Sequence, residues 1–324
     1  MAPFSVSVDR PTVNWQDLLP KRPLSGCYTV KIVPELPEVE TVKRGLQPTV
    51  EGRRFTYVET RRGDLRIPFP EDFENRLTGR RVERLWRRAK YIMADLDGGE
   101  TLVIHLGMSG RITVYGKDAV RGPGAFHYQM AGGEIGRGKH DHVVFDTDAP
   151  ARIVFTDHRR FGLMTIVETA SLESHKLFKG LGVEPLSKQF DAEYLKEALK
   201  NKKTPIKSAL LDQRVIAGLG NIYVCEALWR SRISPKRQAA KVKAPQFDVL
   251  APAIKEVLQE AVRAGGSSLR DHRQTNGELG YFQKVFAAYD REGEPCMRRD
   301  CHGRIKRVVQ SGRSTFYCPT CQVC

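Results

Sequence analysis

Two close cysteine pairs near the C-terminus, Cys296 with Cys301 and Cys318 with Cys321, constrain this chain more than any other feature. The pattern is C-x4-C, sixteen intervening residues, then C-x2-C. Four thiolates so spaced close a tetrahedral shell around one Zn²⁺, which then cross-links a hairpin too small to bury a core of its own. A complete thiolate shell leaves no open coordination position, so the expected ion is structural and not catalytic. Unbound or disulfide-paired cysteines are the competing reading, which a reducing compartment disfavours. Residues 302–317, between the pairs, carry Arg304, Lys306, Arg307 and Arg313 and no acid. A hairpin of that charge suits phosphate or a groove, with a solvated basic face as the plainer alternative. Of the remaining cysteines, Cys27, Cys225 and Cys324, Cys225 lies in an apolar helical pattern and reads as a small core residue.

Upstream of the tail the periodicity changes twice. Residues 1–33 contain Pro3, Pro11, Pro20 and Pro23, mixed polarity and no sustained period, and read as disordered or foreign to the fold. A helix is predicted from Pro37, with Glu38 and Glu40 in its first turn and Val39, Val42 and Leu46 on one face. From about 53 to 168 the pattern is short β-rich runs at 55–58, 102–104, 142–145, 153–155 and 164–167, as in a sandwich or barrel. Residues 117–139, rich in Gly and charge, read as a long exposed loop. After Gly180, Gly182 and Pro185 helices are predicted at about 187–200, 205–213, 221–231 and 246–264. The whole reads as an α+β chain of 324 residues: two domains and a small metal-bearing appendage from about 285.

The chain carries 53 Lys+Arg against 38 Asp+Glu, a net charge of +15, which favours a polyanionic partner such as nucleic acid or an anionic membrane surface. No apolar run approaches the roughly 18 residues that span a bilayer, and residues 1–33 lack a basic segment followed by an apolar one. A cytoplasmic protein is expected.

Gly218-Leu219-Gly220-Asn221 precedes a predicted helix, and such a turn exposes backbone N–H groups at a helix N-terminus, suited to phosphate. A lone Gly-x-Gly is weak, but this one stands inside 207–213 (KSALLDQ) and 216–223 (IAGLGNIY). That run resembles the helix–two-turn–helix element of the bacterial formamidopyrimidine-DNA glycosylase family. The resemblance spans Pro34 to Cys321 and includes PELPEVE at 34–40, RRAKY at 87–91, HLGMSG at 105–110, KHDH at 139–142, RRFG at 159–162 and the cysteine hairpin. The first cysteine pair departs from the commoner C-x2-C spacing, which loosens one turn without removing a ligand. The resemblance implies an N-terminal catalytic β-sandwich with flanking helices (34–168), a hinge (169–184), a helix–two-turn–helix domain (185–284) and a zinc-finger hairpin (285–324).

It also implies a monomeric bifunctional DNA glycosylase and AP lyase of base excision repair. Its partner would be double-stranded DNA containing oxidised purines, such as 8-oxoguanine and formamidopyrimidines, with no obligate protein partner and no membrane. Pro34 would be the nucleophile, Glu35 the general acid/base, Lys90 a catalytic contact with phosphate and base, and Arg313 a phosphate clamp counted with the catalytic set. His140 and Asn221 would clamp phosphate, while Lys203 and Lys207 would lie around the flipped nucleotide. Met108, Arg159 and Phe161 would fill the void left by the extruded base, with Arg159 facing the orphaned cytosine. Without the resemblance, Met108 and Phe161 read as core. Cys296, Cys301, Cys318 and Cys321 would hold the zinc. Residues 265–281 resemble a loop that closes over the extruded base.

Proline is a nucleophilic secondary amine only at a chain terminus, because in a peptide bond its lone pair is delocalised. Here Val33 precedes Pro34. A valine codon can be GTG, a bacterial initiator read as Met, and Met before Pro is readily removed, so residues 1–33 are expected to lie outside the working enzyme. A true extension with a differently activated amine is the alternative. Two further readings stand beside this one. An endonuclease VIII-type glycosylase for oxidised pyrimidines fits less well, since its opening motif typically has Gly where this chain has Leu36. A non-catalytic zinc-finger protein that binds DNA damage shares the charge and the hairpin but needs no terminal amine.

Overall fold

The computed structural model describes residues 33–116, 137–267 and 282–323, and the predicted base-covering loop falls largely outside these. Helix α1 (Leu36–Val50) begins where the proline and first-turn acids place it. Its start is fixed by Glu38, whose Oε2 accepts the Glu35 N–H at 2.9 Å. Val39, Val42, Leu46 and Val50 are buried along one face.

Strands β1 (Phe55–Thr60), β2 (Val82–Arg88), β3 (Tyr91–Leu96), β4 (Glu100–His105), β5 (Arg111–Gly116), β6 (Asp141–Thr147), β7 (Ala151–Thr156) and β8 (Leu163–Glu168) follow, with the short helix α2 (Phe73–Leu77) after β1. Among the described residues they form two four-stranded sheets, ordered β1-β6-β7-β5 and β2-β3-β4-β8, with antiparallel pairings. Their facing sides and the apolar face of α1 share one core, in which Val42, Leu46, Ile92, Ile104, Phe145 and Phe155 are buried. The predicted sandwich is therefore present. Strands β2, β3 and β5 were not predicted. In β2 a register shift between Val82 and Arg84 interrupts the alternation that betrays a strand. Strand β3 is buried on both faces, because Met93 turns outward into a second cluster with Val103, Leu172 and Phe178. That cluster seats the predicted hinge segment against the outer face of the sheet.

The helical part comprises α3 (Ala192–Leu199), α4 (Ile206–Leu211), α5 (Asn221–Arg230) and α6 (Ala244–Arg263). Helix α3 is capped by Asp191, whose side chain accepts the Tyr194 N–H. Helix α5 is buried from Ile222 to Leu228 without interruption, because α6, α4 and the C-terminal hairpin pack around it. In the hairpin, β9 (Lys306–Gln310) and β10 (Arg313–Tyr317) pair through Ser311 and Gly312, both at positive φ (48° and 72°), as a two-residue type I′ turn requires. Glu226, fully buried on α5, anchors the approach to the hairpin by accepting the N–H groups of Ala287, Ala288 and Tyr289 at 2.8–3.0 Å. Among the described residues no helix is long and apolar enough to cross a membrane.

Candidate active site

Four segments far apart in sequence meet where α1 begins. Pro34 and Glu35 are buried, and the Leu36 N–H donates to the Gly218 carbonyl at 3.3 Å. The Glu35 carboxyl lies against the turn into α5: Oε1 accepts the Ile222 N–H at 3.1 Å. A Cβ on Gly220 would fall 2.0 Å from Glu35 Cδ, so only glycine leaves room for this carboxyl. The other oxygen, Oε2, is buried without a hydrogen-bond partner. Burial pushes the Glu35 carboxyl up to about 7, with the nearby Lys90 ammonium working against the rise and Glu38 adding to it. Near neutral pH such a group both gives and takes a proton.

Lys90 sits on the β2–β3 turn, where Ala89 adopts a left-handed φ of 51°. Burial lowers its ammonium below the usual lysine range, the Glu35 charge opposes this, and Arg313 contributes to the lowering. Glu184 holds the turn in place, accepting the Ala89 N–H at 2.5 Å and pairing with Arg87 at 2.8 Å and Arg88 at 3.1 Å. Glu38 links three elements: Oε1 accepts from Tyr223 Oη at 2.5 Å, the Ser267 N–H at 2.8 Å and Ser267 Oγ at 3.0 Å. Its other oxygen is the one that holds the Glu35 N–H.

The remaining predicted residues fall into two groups. On the hairpin side, Asn221 Nδ2 donates to the Ser314 carbonyl at 3.0 Å, beside exposed Arg313. Lys207 is fully buried, and its ammonium donates to the Ser314 carbonyl at 2.9 Å and Thr315 Oγ1 at 2.8 Å. Its immediate partner is therefore strand β10, whereas Lys203 is exposed. On the sandwich side, Phe161 is 42% exposed, the Arg159 guanidinium lies 4.9 Å from its ring centroid, and Met108 is half-buried on the adjacent loop. The His140 ring packs on His158 at 4.4 Å. Sequence reasoning missed Glu184, Glu226 and Asp157, buried or half-buried acids whose partners are remote in the chain, so no local pattern announces them. Glu38 lies inside the quoted motif but was read only as a first-turn acid.

The four cysteine sulfurs lie within 4.8 Å of one another, with Cys296–Cys321 at 3.8 Å and Cys301–Cys318 at 3.6 Å. Tetrahedral Zn–S bonds of about 2.3 Å put neighbouring sulfurs roughly 3.8 Å apart, so the donor set fits one structural zinc. The Trp229 indole N–H and the Gly303 N–H donate to Cys296 Sγ and Cys301 Sγ, each at 3.4 Å.

Three family models match in order along the chain. They are the formamidopyrimidine-DNA glycosylase N-terminal domain over residues 33–164, the formamidopyrimidine-DNA glycosylase H2TH domain over 181–273, and a zinc finger found in FPG and IleRS over 293–323. The formamidopyrimidine-DNA glycosylase of Jannaschia sp. (strain CCS1) is 57% identical over 290 residues, covering 90% of this chain and 100% of that protein. A Lactococcus lactis Fpg mutant in complex with Fapy-dG-containing DNA has a TM-score of 0.77 at 32% identity, covering 89% of this chain and 99% of that one. MutM in complex with DNA containing carbocyclic 8-oxo-G has a TM-score of 0.76 at 32% identity, with the same coverage. Sequence, domain order and backbone geometry agree from residue 33 onward: the chain belongs to the formamidopyrimidine-DNA glycosylase family, DNA glycosylases of base excision repair.

Proposed function

We propose that the chain excises oxidised purines, 8-oxoguanine and formamidopyrimidines, from duplex DNA and then cuts the strand, with Pro34 as nucleophile once it is the first residue. The observation that carries this reading is the Glu35 carboxyl, adjacent to Pro34, buried, short of one hydrogen bond and poised near pH 7. The Pro34 nitrogen attacks C1′ of the damaged nucleoside, the N-glycosidic bond breaks with its electron pair leaving on the base, and the proton that the attacking secondary amine sheds balances the one the base takes up. Glu35 protonates the sugar ring oxygen, C1′ is released from it, and the nitrogen lone pair completes an iminium. The iminium acidifies C2′–H; loss of that proton expels the 3′ phosphate, a second elimination expels the 5′ phosphate, and water hydrolyses the remainder to return the amine.

Around this centre Lys90 and Arg313 supply cationic contacts to the phosphate beside the lesion, and His140 and Asn221 hold the flanking backbone. Lys203 and Lys207 border the extruded nucleotide, Lys207 by fixing β10 beside it. Met108, Arg159 and Phe161 occupy the vacated stack. The damaged DNAs held by the solved relatives support the substrate class. The zinc, held by Cys296, Cys301, Cys318 and Cys321, supplies the cross-link that keeps the hairpin folded and takes no part in bond making. We place the work in the bacterial cytoplasm, at the nucleoid, and residues 1–33 outside the working enzyme. The family match begins at residue 33, and the Jannaschia relative is covered in full by 90% of this chain.

Borohydride reduction on duplex DNA with 8-oxoguanine opposite cytosine tests the reading. Protein beginning at Pro34 should be trapped as a covalent adduct through residue 34, and the intact 324-residue chain should not. Equal trapping of an intact full-length chain would remove Pro34 as the nucleophile.

A further inference from the structure

We infer that Asp157 is a positioning residue that sets three DNA-facing loops in one register, holding Met108, Arg159 and Phe161 ready before duplex arrives; this rests on the void-filling reading above. Asp157 follows β7 and has no exposed surface. Its N–H donates to the His140 carbonyl at 2.9 Å, and its own carbonyl is 2.8 Å from His142 Nε2. Its Oδ1 accepts from Ser109 Oγ at 2.5 Å and from the Arg159 N–H at 3.3 Å, while Oδ2 accepts the Gly162 N–H at 2.8 Å. One residue thus bonds to the loop of His140, the loop of Met108 and both ends of the Arg159–Phe161 tip.

The tip it holds is fixed by hydrogen bonds and backbone contact more than by burial of its aromatic side chain. Phe161 is 42% exposed, with the Arg159 guanidinium over its ring. An exposed aromatic on a free loop samples many rotamers and backbone states, and that entropy would be lost again on each binding event. Here it is lost on folding. Ser109 Oγ also accepts the Arg159 N–H at 3.0 Å, so Ser109 joins the Met108 loop to the tip at two points. The loops are also in direct contact: Gly107 has φ +65°, and a Cβ there would lie 2.3 Å from the Phe161 carbonyl carbon. The contact distances of the wedge therefore depend on a side chain that has no exposed surface of its own.

The test compares Ser109→Ala and Asp157→Asn with the parent, all beginning at Pro34; these contacts lie within residues 33–323, and 90% of this chain covers the Jannaschia relative in full. Two single-turnover rates are measured: excision of 8-oxoguanine from a duplex, and nicking of an abasic site in a single strand, where there is no stack to fill and no orphaned base. We expect about tenfold or greater loss on duplex and under about twofold on single strand for both variants, with discrimination between cytosine and adenine opposite the lesion reduced in parallel. Equal losses on both substrates would make Asp157 a merely structural residue, and unchanged duplex rates in folded Ser109→Ala would remove its positioning role; either result overturns the inference. If Asp157→Asn fails to fold, Ser109→Ala decides alone. A parent that acts on neither substrate would instead overturn the reading on which the inference rests.

Discussion

Helix α5 has a buried carboxylate at each of two places, and the two are treated oppositely. At its N-terminus Glu35 accepts the Ile222 N–H on one oxygen and keeps the other oxygen buried without a partner. Further along, Glu226 receives three, with both oxygens engaged by the Ala287–Tyr289 backbone. Burial raises both carboxyls above their ordinary range, yet only one has hydrogen-bonding capacity left over. A saturated carboxylate fixes backbone, whereas an unsaturated one beside a lysine and a proline is free to exchange a proton. Partner count, more than burial, separates the structural acid from the reactive one.

The largest effect should come from Glu35→Gln, which keeps the shape and the bond from Ile222 but cannot titrate. Single-turnover excision should fall about 10²- to 10⁴-fold. Its effect on stability should have the opposite sign. A carboxyl raised from 4.5 to about 7 contributes stability that is full below the lower value and is lost as pH rises through the upper one. The variant lacks that loss, so its stability relative to the parent should increase across this window and level off above it, by an amount on the order of 3 kcal/mol. Denaturant titrations at pH 5 and pH 8 measure this, and a variant less stable at pH 8 than at pH 5 relative to the parent would collapse the contrast.

Glu226→Ala should show the reverse pattern. Three backbone N–H groups lose their acceptor, which should cost about 3–5 kcal/mol of stability. A chromogenic chelator should draw zinc from the loosened hairpin faster, while excision per folded molecule changes little. Strong loss of chemistry without loss of stability would mean that Glu226 belongs with Glu35. Gly220→Ala sharpens the comparison further. Its Cβ must displace the Glu35 carboxyl, so excision should drop about 10²-fold, with a packing penalty of only about 1–3 kcal/mol in the melting curve. The smallest change is expected in the pH–rate profile of the parent, whose limb near 7 should vanish in the residual activity of Glu35→Gln.

How much of this was legible beforehand follows from how local each signal is. The strands β4, β6, β7 and β8 showed in runs of β-branched and aromatic residues, and α3 to α6 in their helical period, because one buried face imprints a period on a short stretch. Strand β2 did not, since a bulge breaks its alternation and its Arg87–Arg88 end reads as part of a basic segment. The quoted motifs led to Pro34, Glu35 and Lys90, and the structure does gather Glu35 and Lys90 at the start of α1. Lys207 illustrates the limit: its motif pointed to the nucleotide's surroundings, but only the packing of β10 on α5 supplied the carbonyl and hydroxyl that hold its ammonium.

By itself the sequence determined the order of β-rich, helical and cysteine-bearing parts, the net positive charge and the thiolate set for zinc, because each depends on neighbours within one element or one hairpin. Tertiary structure alone decided the acidity of Glu35, the clamp of Glu184 on the Lys90 turn, and the convergence of three loops on Asp157. Those properties are set by desolvation and by donors brought from distant segments, as when Ile222 and Gly220 close over Glu35. Electrostatics in a buried site depends on distance through space, which chain order does not encode.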